Sequence, residues 1–143
     1  MEVKNNALFS SQRDDWETPK DLFYRLDKIY HFETDLCANE NNAKCKKYYS
    51  VEQDGLKQEW KGSCWCNPPY GRGVGKWVEK AANSNALVVM LLPARTDTKW
   101  FHDYCIKKGT VEFLKGRVKF VGAKNNAPFP CMIVVFGGKV NGV

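Results

Sequence analysis

An α/β fold with a three-layer sheet is expected for this 143-residue chain, because strand-like and helix-like segments alternate along it. Three observations carry that expectation. The run at 86–92, Ala-Leu-Val-Val-Met-Leu-Leu, is unbroken and apolar, as in a central strand covered on both faces by helices. Two apolar stripes recur at helical spacing, one through Leu22, Phe23, Leu26, Ile29 and Tyr30, the other through Val74, Trp77, Val78 and Ala81. Shorter runs rich in strand formers stand around them, at 32–38, 63–66 and 131–136.

The length suits one domain, expected over 16–143, behind a polar arm without periodicity at 1–15. Hydrophobic residues at 43% and charged residues at 27% exclude disordered and collagen-like classes. A net charge of +6 suits a polyanionic partner. No apolar stretch approaches the ~20 residues that span a bilayer, and the first residues lack a secretory apolar core, so no membrane association and a cytoplasmic location are expected. The six cysteines include no Cys-x-x-Cys pair, and only His31 and His102 could assist them, so no metal is expected. The thiols read as reduced, with Cys64 and Cys66 two apart on one face of a strand.

In chain order, Thr18-Pro19-Lys20-Asp21 predicts a helix start, with Thr18 as N-cap, Pro19 in the first turn and Asp21 near the positive end of the dipole. A short strand follows, Phe32-Glu33-Thr34-Asp35-Leu36-Cys37-Ala38. Its acidic residue lies where open α/β sheets bind ligands. Asp35 is thus a candidate to meet polar groups of a ligand, or else it satisfies amides of its own turn. Lys44, Lys46, Lys47, Tyr48 and Tyr49 form a basic, aromatic segment, either a polyanion-facing surface or a solvated approach to a strand. Asp54-Gly55 reads as a turn with a second acidic side chain.

Past the turn at 67–70, Gly71-Arg72-Gly73-Val74-Gly75 reads as a loop too flexible for regular structure, before a helix ending near Asn83-Ser84. After the central strand, Pro93-Ala94-Arg95-Thr96-Asp97-Thr98 is a polar loop, and a helix bearing Trp100, Phe101, Tyr104 and Cys105 stops at Gly109. Alternating runs at 110–114 and 117–121, joined by Lys115-Gly116, predict a β-hairpin. A loop at 122–130 leads to the closing apolar strand.

The most informative stretch is Ser63-Cys64-Trp65-Cys66-Asn67-Pro68-Pro69-Tyr70. A strand runs into two prolines, which cannot continue a ladder and hold the residues before them extended. The Asn67 side-chain oxygen and the Pro68 carbonyl are then acceptors on a stiff turn, with the aromatic Tyr70 beside them. That combination suits a flat, amino-bearing ring such as a nucleobase.

Asn67-Pro68-Pro69-Tyr70 resembles the catalytic motif of S-adenosylmethionine-dependent amino-methyltransferases, and the chain from about 16 to 136 is similar to small phage-type DNA adenine-N6 methyltransferases. The resemblance implies a Rossmann-like methyltransferase fold, a compact three-layer sheet with a C-terminal β-hairpin. It implies S-adenosylmethionine as cofactor, double-stranded DNA as partner and Asn67, Pro68, Pro69 and Tyr70 as catalytic residues. Trp16, Thr18, Pro19, Asp35, Cys37, Ala38 and Asp54 would border the cofactor. Asp35-Leu36-Cys37-Ala38 stands where other amino-methyltransferases carry a glycine-rich loop, and here those glycines are absent. Gly116-Arg117-Val118-Lys119-Phe120 also matches the family, whereas Cys131 often is a serine there. Arg72, Arg95, Lys99, Arg117 and Lys119 are candidates for DNA phosphates. Two other functions fit the motif or the charge: methylation of an RNA base or protein glutamine, and a catalytically silent nucleic-acid-binding module.

Overall fold

The computed structural model describes residues 16–137, so the arm expected at 1–15 lies outside the described residues. Chain order is α1 (Lys20–Tyr30), β1 (Thr34–Asp35), β2 (Lys47–Tyr48), a 3-10 turn (Gly55–Lys57), β3 (Ser63–Cys66), α2 (Val74–Asn83), β4 (Leu87–Pro93), α3 (Phe101–Ile106, wound at the wider π spacing), β5 (Gly109–Phe113) and β6 (Cys131–Phe136). The strands form one mixed sheet in the order β2-β1-β3-β4-β6-β5. β1, β2, β3 and β4 are parallel, and β6 runs antiparallel between β4 and β5. This is the three-layer α/β arrangement that the alternation of segments predicts.

Side chains alternate across the sheet with the period of two that a pleated strand imposes. Cys64, Cys66, Val88, Met90, Leu92, Met132, Val134 and Phe136 face one layer, with Val78 and Ala81 of α2 and Phe101 and Cys105 of α3. Trp65, Val89, Leu91, Cys131 and Ile133 face the other, with Phe23 and Leu26 of α1 and with Phe120 and Ala127 from the long connection after β5. Burial on both faces explains why β4 reads as one continuous apolar run. None of the six cysteines, all among the described residues, is in a disulfide, and burial pushes the Cys105 thiol up to about 12 and those of Cys64 and Cys131 up to about 11. They behave as small hydrophobes.

Four local expectations need correction. Thr18 is not the N-cap of α1: Pro19 holds that position with ψ 140°, no side chain caps the helix, and the Thr18 hydroxyl is engaged elsewhere. The strand at 32–38 shortens to Thr34–Asp35, although Glu33 and Leu36 amides still donate to the carbonyls of Ser63 and Trp65. The glycine run does not delay α2, which starts at Val74 with Gly75 inside it. The hairpin of 110–114 with 117–121 does not form. β5 pairs with β6 instead, since β6 offers a buried apolar strand, while Phe120, 1% exposed, is drawn into the core out of any ladder. Gly116 does turn the chain, at φ 77°.

Gly55 shows how tightly the carboxyl edge of the sheet is built. A Cβ there would lie 2.2 Å from the Leu36 carbonyl oxygen and 3.0 Å from the Trp77 ring. Overpacking against backbone costs about 1–3 kcal/mol. Gly55→Ala is therefore expected to lower stability by that amount in denaturant unfolding, and an unchanged midpoint would contradict this packing.

Candidate active site

Because β2 lies on one side of β1 and β4 on the far side of β3, the connections after the neighbouring strands β1 and β3 leave in opposite directions, and a crevice opens at their carboxyl ends. The crevice is a cavity of about 400 Å³, within the size of small-molecule sites, roughly 300–1,000 Å³. Its walls come from the ends of three parallel strands: Asp35, Leu36, Cys37 and Ala38 after β1, Tyr49, Ser50 and Val51 after β2, Asn67 and Pro69 after β3. Asp54, Gly55 and Trp77 close one side, and the extended segment Trp16, Glu17 and Thr18 crosses another.

Asn67 is the polar centre of this wall. Its Nδ2 donates to the Trp16 carbonyl and to the Thr18 hydroxyl, the latter at 3.0 Å. Its Oδ1 is buried and, alone among the buried side-chain nitrogen and oxygen atoms of the described residues, has no hydrogen-bond partner. Leaving a buried acceptor unmet costs about 1–3 kcal/mol. A buried acceptor without a protein partner, in a residue that lines the cavity, is the kind of group a bound donor satisfies.

Asp35 is 2% exposed, and its carboxylate accepts from the backbone N–H groups of Cys37 at 3.3 Å and Lys44 at 3.0 Å. It thus satisfies its own turn and also lines the cavity. Burial pushes its carboxyl up to about 6, although the Lys44 and Cys37 amides and the Lys44 charge pull the other way. Desolvation wins, which leaves a buried acid titrating near neutrality. Asp54 has a left-handed backbone, φ 55°, and accepts from the Leu56 amide at 3.1 Å. Short polar side chains tolerate that conformation.

Of the residues singled out in the sequence, Trp16, Thr18, Asp35, Cys37, Ala38, Asp54, Asn67 and Pro69 meet at the cavity. Pro19 does not line it, and instead opens α1 by accepting from the Phe23 amide at 3.2 Å. Pro68 is buried and is not among the residues that line the cavity. Tyr70, 3% exposed, is packed in the core: its hydroxyl donates to the Leu91 carbonyl at 3.0 Å, and the edges of Phe120 and Phe129 meet its ring at 6.2 and 5.7 Å. Burial holds its phenol well above the ordinary range. Arg72, Arg95, Lys99, Arg117 and Lys119 are all exposed. Lys99 pairs loosely with Asp103 at 3.8 Å, and Arg117 donates to the Ala127 carbonyl at 3.3 Å.

Sequence reasoning missed Glu17, Trp77 and the part played by Lys44. Lys44 belongs to the basic segment read as a surface, yet it lines the cavity and reaches Glu17 at 3.0 Å with a side chain only 10% exposed. Glu17 has no motif around it, and Trp77 reads only as one more apolar position of α2. Among the described residues no group of three or more His, Cys, Asp or Glu is placed to hold a metal ion, and no helix is long and apolar enough to cross a membrane.

The site is thus a ligand-sized crevice with a buried acid after one strand and an unmet amide oxygen in an Asn-Pro-Pro-Tyr turn after another. Comparison with known proteins points the same way. A DNA N-6-adenine-methyltransferase of Haemophilus phage HP1 (strain HP1c1) is 34% identical over 154 aligned residues, covering 97% of this chain and 87% of the relative. One of Escherichia phage T1 is 39% identical over 95 residues, covering 62% of this chain and 40% of that longer relative. The family model described as DNA N-6-adenine-methyltransferase (Dam) matches residues 5–136, a span that contains β1 to β6 and every residue of the cavity, and the chain belongs to that family.

Proposed function

We propose that this protein methylates the exocyclic N6 amine of adenine in double-stranded DNA, using S-adenosylmethionine, in the cytoplasm. The observation that carries the reading is the buried, partnerless Oδ1 of Asn67 at the cavity wall. The cavity suits the cofactor in size, and Asp35, a buried carboxylate, suits a cationic ligand. Asp35, Cys37, Ala38, Asp54 and Trp16 would hold it, while Thr18 borders the cavity with its hydroxyl engaged by Asn67. When bound, S-adenosylmethionine supplies a methyl group activated by its sulfonium.

The work left to the protein follows from the weakness of the nucleophile. The amine nitrogen shares its lone pair with the ring. Asn67 Oδ1 and the Pro68 carbonyl accept its two hydrogens, which favours the tetrahedral nitrogen and the positive charge that develops on it. Both acceptors are fixed beforehand by the turn, so little reorganisation is needed at the moment of reaction. The methylated nitrogen is strongly acidic and loses its surplus proton without a dedicated base. Arg72, Arg95, Lys99, Arg117 and Lys119 contact phosphates in this reading. Tyr70 supports the turn from below through its bond to Leu91. A stacking role for its ring would require Phe120 and Phe129 to move aside.

Incubation with methyl-labelled cofactor and duplex DNA, followed by nucleoside analysis, tests the activity. Label in N6-methyladenine is expected, and label confined to RNA or protein substrates would overturn the reading. Asn67→Ala is expected to lower kcat about 10²–10³-fold, as loss of one charge-stabilising group does. Cofactor affinity by calorimetry should change little.

The pH dependence of cofactor binding tests Asp35. A cation beside it favours the ionised carboxylate, so binding is linked to proton release. Above about pH 7 the group is already ionised and affinity is expected to be flat. Below about pH 6 the proton must be displaced, and affinity should fall about tenfold per pH unit. Glu17, Lys44 and Asp54 share the cavity, so Asp35→Asn is the comparison that isolates this group. A variant with unchanged affinity and an unchanged profile would assign Asp35 to its turn alone.

A further inference from the structure

An asparagine amide is nearly symmetric in shape, and a half-turn about its terminal bond exchanges the oxygen with the nitrogen. Only one of the two orientations offers an acceptor to an amine. The partners of Nδ2 decide which. The Trp16 carbonyl has no hydrogen to give, so the atom facing it must be the nitrogen. The Thr18 hydroxyl takes the second hydrogen of the same nitrogen at 3.0 Å, and Thr18 is 2% exposed, shielded from bulk solvent.

The segment bearing both groups is itself held. The Val121 amide donates to the Glu17 carbonyl at 3.0 Å, and Lys44 reaches the Glu17 carboxylate at 3.0 Å from the opposite wall. Thr18 therefore stands in a rigid setting, and its hydroxyl is not spent on capping α1. We propose that Thr18 is a positioning residue which, with the Trp16 carbonyl, locks the Asn67 amide so that Oδ1 is the atom presented to the substrate amine. The inference rests on the reading of Asn67 as an amine acceptor.

A consequence is that this site selects asparagine over aspartate. A carboxylate at 67 has no hydrogen for the Trp16 carbonyl, so its second oxygen would face another oxygen. The stronger acceptor is then the less useful one, because the setting repels it.

Steady-state kinetics on Thr18→Ser, Thr18→Val and Asn67→Asp test the proposal. Thr18→Val keeps the shape and removes the acceptor; kcat is expected to drop about tenfold, with KM for cofactor and DNA within about twofold. Thr18→Ser should restore kcat. Asn67→Asp should lose at least about tenfold in kcat. Full kcat in Thr18→Val, or a loss confined to KM, overturns the proposal. If Thr18→Val does not fold, Asn67→Asp decides: wild-type kcat in that variant overturns it. Failure of the underlying reading looks different, because Asn67→Ala would then retain activity whatever the Thr18 variants do.

Discussion

The organisation of this protein depends on one amide whose nitrogen is satisfied and whose oxygen is not. Asn67 gives both hydrogens of Nδ2 to the Trp16–Thr18 segment and keeps Oδ1 buried without a partner. The two prolines behind it make that state sustainable. Without amide hydrogens they cannot extend β3, so the chain must turn at the carboxyl edge of the sheet. Tyr70 then fastens the turn to β4 through the Leu91 carbonyl. An unmet acceptor costs about 1–3 kcal/mol, and the buried apolar faces of β3, β4 and β6 supply the stability that tolerates it.

Asp35 shows the same logic one strand away. Two backbone amides and a nearby lysine draw its pKa down, yet burial carries it up to about 6. In stability terms the raised acid favours folding fully below its ordinary value of 3.8, and that contribution is lost as pH rises through about 6. At neutral pH the carboxylate is therefore held at a cost to the fold, which a cation bound beside it would relieve. Where the loop lacks glycines, Cys37 and Ala38 line the cavity.

Most of this frame was legible in the residues. β4, α2 and the turn at 67–70 follow from an unbroken apolar run, a clean helical stripe and paired prolines, all signals local in sequence. What failed depended on distant partners. The alternation at 117–121 suggests a strand, but a buried site for Phe120 outweighed it, and β6 claimed β5 from across a long connection. Thr18 carries every mark of a helix cap, yet its hydroxyl serves a residue forty-nine positions away. Tyr70, assigned to the catalytic turn by its place in the motif, has its ring against Phe120 and Phe129 in the core, a setting no local signal announces. Lys44 looks solvated in a basic run and proves to be a wall of the cavity, paired with Glu17.

The most direct measurement is a structure of the protein with duplex DNA and an inert cofactor analogue. An adenine amine within hydrogen-bonding distance of Asn67 Oδ1, about 2.7–3.2 Å, with Nδ2 still on Trp16 and Thr18, is the expected result. An amine held by other acceptors, or an Asn67 amide turned away from the base, would contradict it.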